Sequence, residues 1–536
     1  MDENKKLADF TNVSIGLTLS GGGYRAAAFH LGTMDYLEQL DLLSQVKMLS
    51  TVSGGTFTGV KYTLSLVEQQ SYESYFTEYY DFLKQTNLVE RGLETLGNRD
   101  TDAPSGRHDI TVSMAKVYAD TFLKKKDGTP YLFGDILNAN IGLDDVIFNS
   151  TEFRYGLAFR FQRCSNPRGI IGNQKIRIKK KDAEQIRMAD IVTASSCFPG
   201  GFEPFAFPND FIWPDGKIPE SLQTQFSNGP IALMDGGVYD NQGLQSLLLA
   251  EERDPDDLNL DMFIISDVEQ QSEDLYPYPE DEVQGGPHLK TIALMLVAFT
   301  ALLFVSLVML INKFISDPFT WSNFFLVFIP LLQVGIAVFS IYWFYKKTQK
   351  YLRQIPFLGI YAWKYVKNLT VDEVLDMISL RISSLFALAA SVFMKRIRSL
   401  VYGLIYGDFR KPVNEVIKKL YQNKRVSNLI YSLQQSKAAP PLPDIEAMTP
   451  ELKAMIKTAA EMPTTLWFDK PDQLSSLVIS GQATLCYNLM KYVVRNFGTA
   501  PDTYPHEAKK LWDKLNLDWE QFNQNPRFLL NAKFPN

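Results

Sequence analysis

Through its first half the chain alternates short apolar runs with longer stretches of helical spacing. Val13 to Leu19 is apolar or alternating and predicts a first strand, and Ala26 to Leu40 has the spacing of a helix. Val46 to Val52 predicts a second strand and Thr56 to Val67 the helix after it. Tyr72 to Leu96, rich in aromatics and charges, reads as one amphipathic helix. Asp145 to Phe161 and Lys175 to Lys179 alternate as strands do. Met188 to Cys197 predicts a helix that stops at Phe198-Pro199-Gly200-Gly201. Pro230 to Met234 and Met262 to Ser266 are short apolar runs of the kind a buried strand shows. Strands alternating with helices predict an α/β fold in which helices cover a sheet.

The pattern changes near residue 290. Thr291 to Ile311 is an uncharged apolar run of about 21 residues and Phe319 to Tyr345 one of about 27, each long enough to cross a bilayer as a helix. The short link from Asn312 to Pro318 joins them, so the pair reads as a transmembrane hairpin. Lys290 precedes the first run, and Lys346, Lys347, Lys350 and Arg353 follow the second, whereas the link carries only Lys313. The positive-inside rule then expects both flanking regions, and with them the catalytic domain of an integral membrane protein, on the cytoplasmic side. Beyond the hairpin the pattern is mainly helical, at 371–404, 411–420, 449–460 and 471–495. The apolar stretch from Leu385 to Tyr406 with its embedded bases fits a membrane surface or a core helix, and 438–443 reads as a linker. The expected domains are 13–280, catalytic; 291–345, the hairpin, with spans 291–311 and 319–345; and 351–536, a helical region packing on the first.

Composition adds mainly exclusions. The chain has 536 residues, 46% of them hydrophobic, and a net charge of −6, without the basic footprint of a nucleic-acid binder. Its three cysteines, Cys164, Cys197 and Cys486, lie far apart in neither a metal spacing nor a disulfide framework. Met1 to Phe10 has no apolar run, so no signal peptide is expected.

Three stretches carry chemistry. In Leu49-Ser50-Thr51-Val52-Ser53-Gly54-Gly55-Thr56, a strand runs through a sharp turn into a helix and lifts the Ser53 hydroxyl clear of the backbone. The plainer reading is a turn with an N-cap serine. Upstream, Ser20-Gly21-Gly22-Gly23-Tyr24-Arg25 opens a helix with free N–H groups, a nest for negative charge. Ala26 stands where a dinucleotide fingerprint needs its last glycine, and no Gly-Lys-Ser/Thr follows, so an oxyanion cradle fits better than a nucleotide. Downstream, Asp235-Gly236-Gly237 leaves a strand end, where open α/β sheets bind ligands. A serine hydroxyl needs a base, and none of His30, His108, His288 and His506 lies at a strand end. Asp235 acting directly on Ser53 is the economical alternative.

Together these stretches resemble the patatin-like phospholipase family, with its glycine-rich oxyanion loop, its Gly-x-Ser-x-Gly elbow and its Asp-Gly-Gly/Ala aspartate. The matching residues are Gly21-Gly22-Gly23-Tyr24-Arg25, Ser53 with Gly55, and Asp235-Gly236-Gly237. Two positions depart from the pattern: Thr51 replaces the elbow's first glycine and Ala26 the loop's last. The resemblance implies a three-layer α/β/α hydrolase that needs no metal or cofactor and acts on phospholipid or other acyl-ester lipids at a bilayer. It implies Ser53 as nucleophile, Asp235 as base, and Gly21, Gly22, Gly23 and Gly54 as the oxyanion hole. Arg25 would pin the loop or meet a lipid phosphate. A scaffold or sensor that has lost activity, and an acyltransferase or thioesterase on the same dyad, are the competing readings.

Overall fold

The computed structural model describes residues 13–99, 104–253, 260–269, 286–317, 319–352, 422–434 and 447–534, with a few positions between 368 and 385. The chain divides into two compact units: Met1–Glu273 with Ala389–Asn536, and the inserted Asp274–Leu388.

The first unit is built on one sheet. Its strands are β1 (Ile15–Leu19), β2 (Val46–Val52), β3 (Asp145–Glu152), β4 (Leu157–Arg163), β5 (Ile171–Gly172), β6 (Arg177–Ile178), β7 (Phe205–Phe207), β8 (Ile231–Asp235), β9 (Met262–Asp267) and β10 (Arg425–Leu429). The order is β10-β9-β1-β2-β3-β4-β5-β6, with β8 paired to β3 and β7 to β8. From β10 to β3 the pairing is parallel; beyond β3 it is antiparallel. Parallel strands need crossover connections. α1 (Gly23–Gln39) supplies the one between β1 and β2. The β2-to-β3 connection holds α2 (Gly54–Val67), α3 (Tyr72–Gln85), α4 (Leu88–Asn98) and α5 (Ile110–Thr121). Every residue of β1 and β9 is buried, as parallel strands covered on both faces should be.

The two-residue side-chain period sorts the strands between two layers. Leu49, Val146, Phe148, Met262 and Ile264 enter the larger core, whereas Met48, Ile147 and Phe263 form a smaller one with Leu247 and Ala250. The Met188–Ser196 helix, α6, and α7 (Leu244–Arg253) precede the insertion. After it come α8 (Pro450–Glu461), α9 (Gln473–Phe497) and α10 (His506–Gln524). The result is an α/β/α arrangement.

The region expected to be mainly helical also supplies β10, which extends the sheet in parallel beside β9. Its α9 crosses α1 at backbone distance: a Cβ on Gly32 would stand 2.0 Å from the Val478 carbonyl oxygen, and one on Gly481 2.2 Å from that of Phe29. Other expectations are corrected in detail. Tyr72 to Leu96 is two helices, because the Asn87 side chain accepts from the Glu90 N–H and caps a new helix start. Asp145 to Phe161 is a hairpin, and only Arg177–Ile178 of the run 175–179 is strand. The stretches 371–404, 411–420 and 438–443 fall almost wholly outside the described residues.

In the inserted unit, helices Leu289–Ser316 and Trp321–Leu352 occupy the expected hairpin. By length and composition Lys290–Ser316 can cross a membrane, and Leu294, Phe299, Leu302 and Phe304 on it lie exposed. In the second helix the described apolar part, Trp321–Gly335, is shorter than a span, so among the described residues one helix meets that length, not two.

Candidate active site

β1 ends at Leu19, and the chain turns through Gly21, Gly22 and Gly23 into α1. Gly22 has φ 145° and Gly23 φ 58°, values that favour glycine. The turn is held on several sides. Ser20 donates its N–H to the Ser266 carbonyl (3.0 Å), Gly21 to that of Asn241 (3.0 Å) and Tyr24 to that of Thr465 (2.8 Å). Of the four glycines expected in the oxyanion hole, Gly21 therefore has its N–H committed to Asn241. Arg25 is buried, and its Nη1 donates to the Met462 carbonyl (2.8 Å). Burial lowers the Arg25 pKa to about 10, against the pull of Asp267 and Glu269. Of the two roles open for Arg25, this placement matches pinning the loop from beneath.

Ser53 follows β2 with φ 50° and ψ −120°, a left-handed value that a non-glycine residue rarely adopts. Its side chain makes no capping bond to α2, so the N-cap reading does not hold. The elbow touches the glycine turn. A Cβ on Gly54 would lie 2.2 Å from the Gly23 carbonyl oxygen, and one on Gly21 would lie 3.1 Å from Ser53 Cβ. The start of α1 and the start of α2 thus meet beside the Ser53 hydroxyl.

Thr51, at the position of the missing family glycine, is accommodated. Its hydroxyl lies 3.0 Å from that of Thr56, and its methyl occupies space left by Gly59, where a Cβ would stand 2.4 Å from Thr51 Cγ2. Gly55 packs on the end of β1, and a Cβ there would lie 2.4 Å from the Leu19 carbonyl oxygen.

The register places Asp235 at the same junction. β3 pairs with β4 along Val146 to Glu152, which fills one of its edges. Both β2 and β8 must therefore lie along the other. β2 runs parallel to β3 and ends with Val52 opposite Asn149; β8 runs antiparallel and ends with Asp235 opposite Ser150. The two strands lie end to end, carboxyl end facing carboxyl end, with Ser53 and Asp235 where they meet. Asp235 Oδ1 accepts from the Gly237 N–H (2.6 Å). A Cβ on Gly237 would lie 2.6 Å from Asn241 Oδ1, and that same oxygen would be 2.6 Å from a Cβ on Gly21. Asn241 thus bridges the glycine turn and the aspartate turn. On its other side, Gly236 donates its N–H to the Ser195 carbonyl (3.2 Å). Ser53 and Asp235 are 8% and 5% exposed, so a carbonyl binding there leaves most of its water behind.

Residues 17–248 match the family model of patatin-like phospholipase. The match supports the patatin-like family for this segment and, in general terms, a lipid acyl hydrolase. No curated protein matches the chain significantly. The patatin-like segment holds every candidate site residue but ends before β9, so β10 and α9 lie beyond it.

His30, His288 and His506 make their contacts away from Ser53. His30 is fully buried; its Nε2 donates to the Ser20 carbonyl (2.9 Å), which leaves Nδ1 to accept from Ser266 Oγ (2.8 Å). Burial pushes its pKa down to about 4, so the ring is neutral and supports the strand end beneath the glycine turn. His506 is exposed beside Glu507, and His288 lies against the Asn368 carbonyl in the inserted unit. Burial raises the Cys197 thiol well above its ordinary range, which leaves it unreactive as a nucleophile. Sequence reasoning missed Asn241 and Ser195. Ser195 lies inside the run Met188 to Cys197 and Asn241 soon after Asp235-Gly236-Gly237, but short polar residues near turns carry no mark of what they will touch.

Proposed function

We propose that this protein is a membrane-anchored serine lipid acyl hydrolase, of phospholipase A type, working through a Ser53–Asp235 dyad. The observation that carries this reading is the end-to-end meeting of β2 and β8 on one edge of β3. Asp235 accepts the Ser53 proton as Ser53 Oγ bonds to the ester carbonyl carbon. Negative charge gathers on the carbonyl oxygen, facing the N–H groups of Gly22, Gly23 and Gly54. The intermediate collapses, the ester C–O bond breaks, and Asp235 returns the proton to the departing alcohol. Water then gives a proton to Asp235 and attacks the acyl carbon, releasing fatty acid and restoring Ser53. A donor aimed at the developing oxyanion contributes about 100–1000-fold in rate. The step uses no metal or cofactor.

The inserted helices would hold this chemistry at an insoluble substrate, with the catalytic unit on the cytoplasmic side. The fit of Thr51 against Gly59 and Thr56 weighs against an inactive scaffold, whose support in the sequence is Thr51.

The test is fatty-acid release from phospholipid by the purified full chain. Ser53→Ala and Asp235→Asn should each lower it by about 10,000-fold or more, the scale for members of a catalytic unit. No turnover, with no labelling of Ser53 by a fluorophosphonate, would overturn the reading. Acyl product on an added alcohol would redirect it to transfer.

A further inference from the structure

Beneath the elbow lies a chain of hydroxyls whose direction can be worked out. Ser195 is the residue next to last in α6 and is fully buried. Its Oγ lies 2.7 Å from the Asn149 carbonyl, an obligate acceptor, so its single proton goes there. Ser195 Oγ must then accept from its two other neighbours, the Ser53 N–H at 3.0 Å and the Thr56 hydroxyl at 2.8 Å. With its proton committed, Thr56 accepts from Thr51 (3.0 Å). The order is Thr51 to Thr56 to Ser195 to the Asn149 carbonyl, with the backbone N–H of Ser53 entering at Ser195.

The same short segment grips the other reacting side chain. The Ser195 carbonyl accepts from Gly236 N–H (3.2 Å), and the Cys197 carbonyl accepts from Asp235 N–H (3.0 Å). Ser195 is therefore bonded to the residue bearing the proposed nucleophile and to the residue after the proposed base. Asn149, which takes its proton, is opposite Val52, and the next residue of β3 is opposite Asp235.

We infer that Ser195 is a positioning residue for the acyl-transfer step: its hydroxyl fixes the strained Ser53 backbone, while its carbonyl fixes the Asp235 turn, so both reacting groups are referred to the end of α6. This rests on Ser53 and Asp235 being the reacting pair. Ser53 adopts a conformation rare for a non-glycine residue, one that persists only where its surroundings hold it. Without the hydroxyl, the Ser53 N–H loses its acceptor and the elbow can relax, moving Oγ relative to Asp235. Ser195 touches neither substrate nor reacting atom, so its loss acts on the reaction rate and not on substrate binding.

The experiment compares Ser195→Ala, Ser195→Thr, Thr56→Val and Ser196→Ala in the full chain. Three readouts are taken: kcat and KM on phospholipid, the rate of Ser53 labelling by a fluorophosphonate, and amide exchange over 49–57. Ser195→Ala should lower kcat and labelling about 100-fold, the cost of a misplacement near 1 Å, with KM within about twofold and faster exchange over 49–57. Thr56→Val removes one donor to Ser195 and should give a smaller loss of the same kind. Ser195→Thr retains the hydroxyl and should recover most of the rate. The Ser196 hydroxyl donates to the Val192 carbonyl of its own helix (2.7 Å) and interacts with Tyr118, leaving the Ser53 N–H to Ser195, so Ser196→Ala should leave kcat unchanged. If Ser195→Ala does not fold, Thr56→Val and Ser195→Thr still decide the matter. Wild-type kcat and exchange in Ser195→Ala, or an equal loss in Ser196→Ala, would overturn the positioning role alone. Absence of wild-type labelling and turnover would overturn the dyad, and this inference with it.

Discussion

The parallel and antiparallel halves of the sheet each deliver one candidate reacting side chain to β3, and they are built differently. The parallel half, β10-β9-β1-β2, carries Ser53 on a strained elbow. It is assembled from both sides of the insertion: β10 pairs with β9, α9 lies on α1 at backbone distance, and Thr465 and Met462 hold Tyr24 and Arg25. The antiparallel half carries Asp235 and is contained within residues 146–235, apart from its contacts with β3's other neighbours. Both halves bury charge. In the parallel half a neutral cluster, His30, Ser266, Thr33 and Asn428, lies alongside the buried Arg25 and the Asp35–Lys533 ion pair (3.1 Å). Under the antiparallel half lies an ion pair, Arg187 with Asp190 at 2.6 Å, whose carboxylate also accepts from the Ile212 N–H. Ser53 thus depends on distant chain for its support, whereas Asp235 depends on its own neighbourhood.

The largest effect should come from removing that distant chain. A chain ending at residue 273 retains the whole patatin-like segment but loses β10 and α9, and exposes the face of α1 that Gly32 and Gly481 bring together. It should show no cooperative thermal unfolding and no fluorophosphonate labelling of Ser53. A folded, labelled fragment would mean that the parallel half supports itself.

Acid should separate the halves next. Unfolded His30 takes a proton below about pH 6.5, while the folded ring resists protonation to about 4. A depressed pKa means the unfolded state binds more protons in this window. The stability His30 contributes is therefore complete above pH 6.5 and is lost as pH falls toward 4, by about 3 kcal/mol in all. Urea unfolding of wild type and His30→Gln at pH 7 and 4.5 isolates that share. Parallel slopes for the two proteins would contradict it.

A smaller effect concerns Thr51. Gly59→Ala places a methyl against Thr51 Cγ2 and should destabilise by about 1–3 kcal/mol. Thr51→Ser removes the opposing methyl and keeps the hydroxyl, so the pair should couple by about 1 kcal/mol in a double-mutant cycle. Additive effects would show that the fit of Thr51 does not depend on Gly59.

Where the sequence was legible, the signal was local. The runs at β1, β2 and β8 stood out as apolar segments ending in glycine turns and β9 as a short apolar run, and Ser53 sits at its turn because a strand and a helix adjoin there. The misreadings also have local causes. Thr86-Asn87 is a weak break inside an amphipathic pattern, so α3 and α4 looked like one helix. β10, Arg-Val-Ser-Asn-Leu, alternates buried and half-buried residues and has no apolar run, because it is an edge strand. His30 lies on α1, and its two partners come from the ends of β1 and β9.

By itself the sequence determined most of the strand and helix types in the patatin-like segment, the strain-tolerant turns and the uncharged run Thr291–Ile311 within the Lys290–Ser316 helix. Backbone propensity and side-chain period act over a few residues and are written there directly. Only the tertiary structure decided that β2 and β8 share one edge of β3, that Ser195 and Asn241 bridge them, and that chain from beyond the insertion completes the sheet. Those outcomes follow from which edges and faces remain to be covered once the other elements have packed, and that competition involves residues hundreds of positions apart.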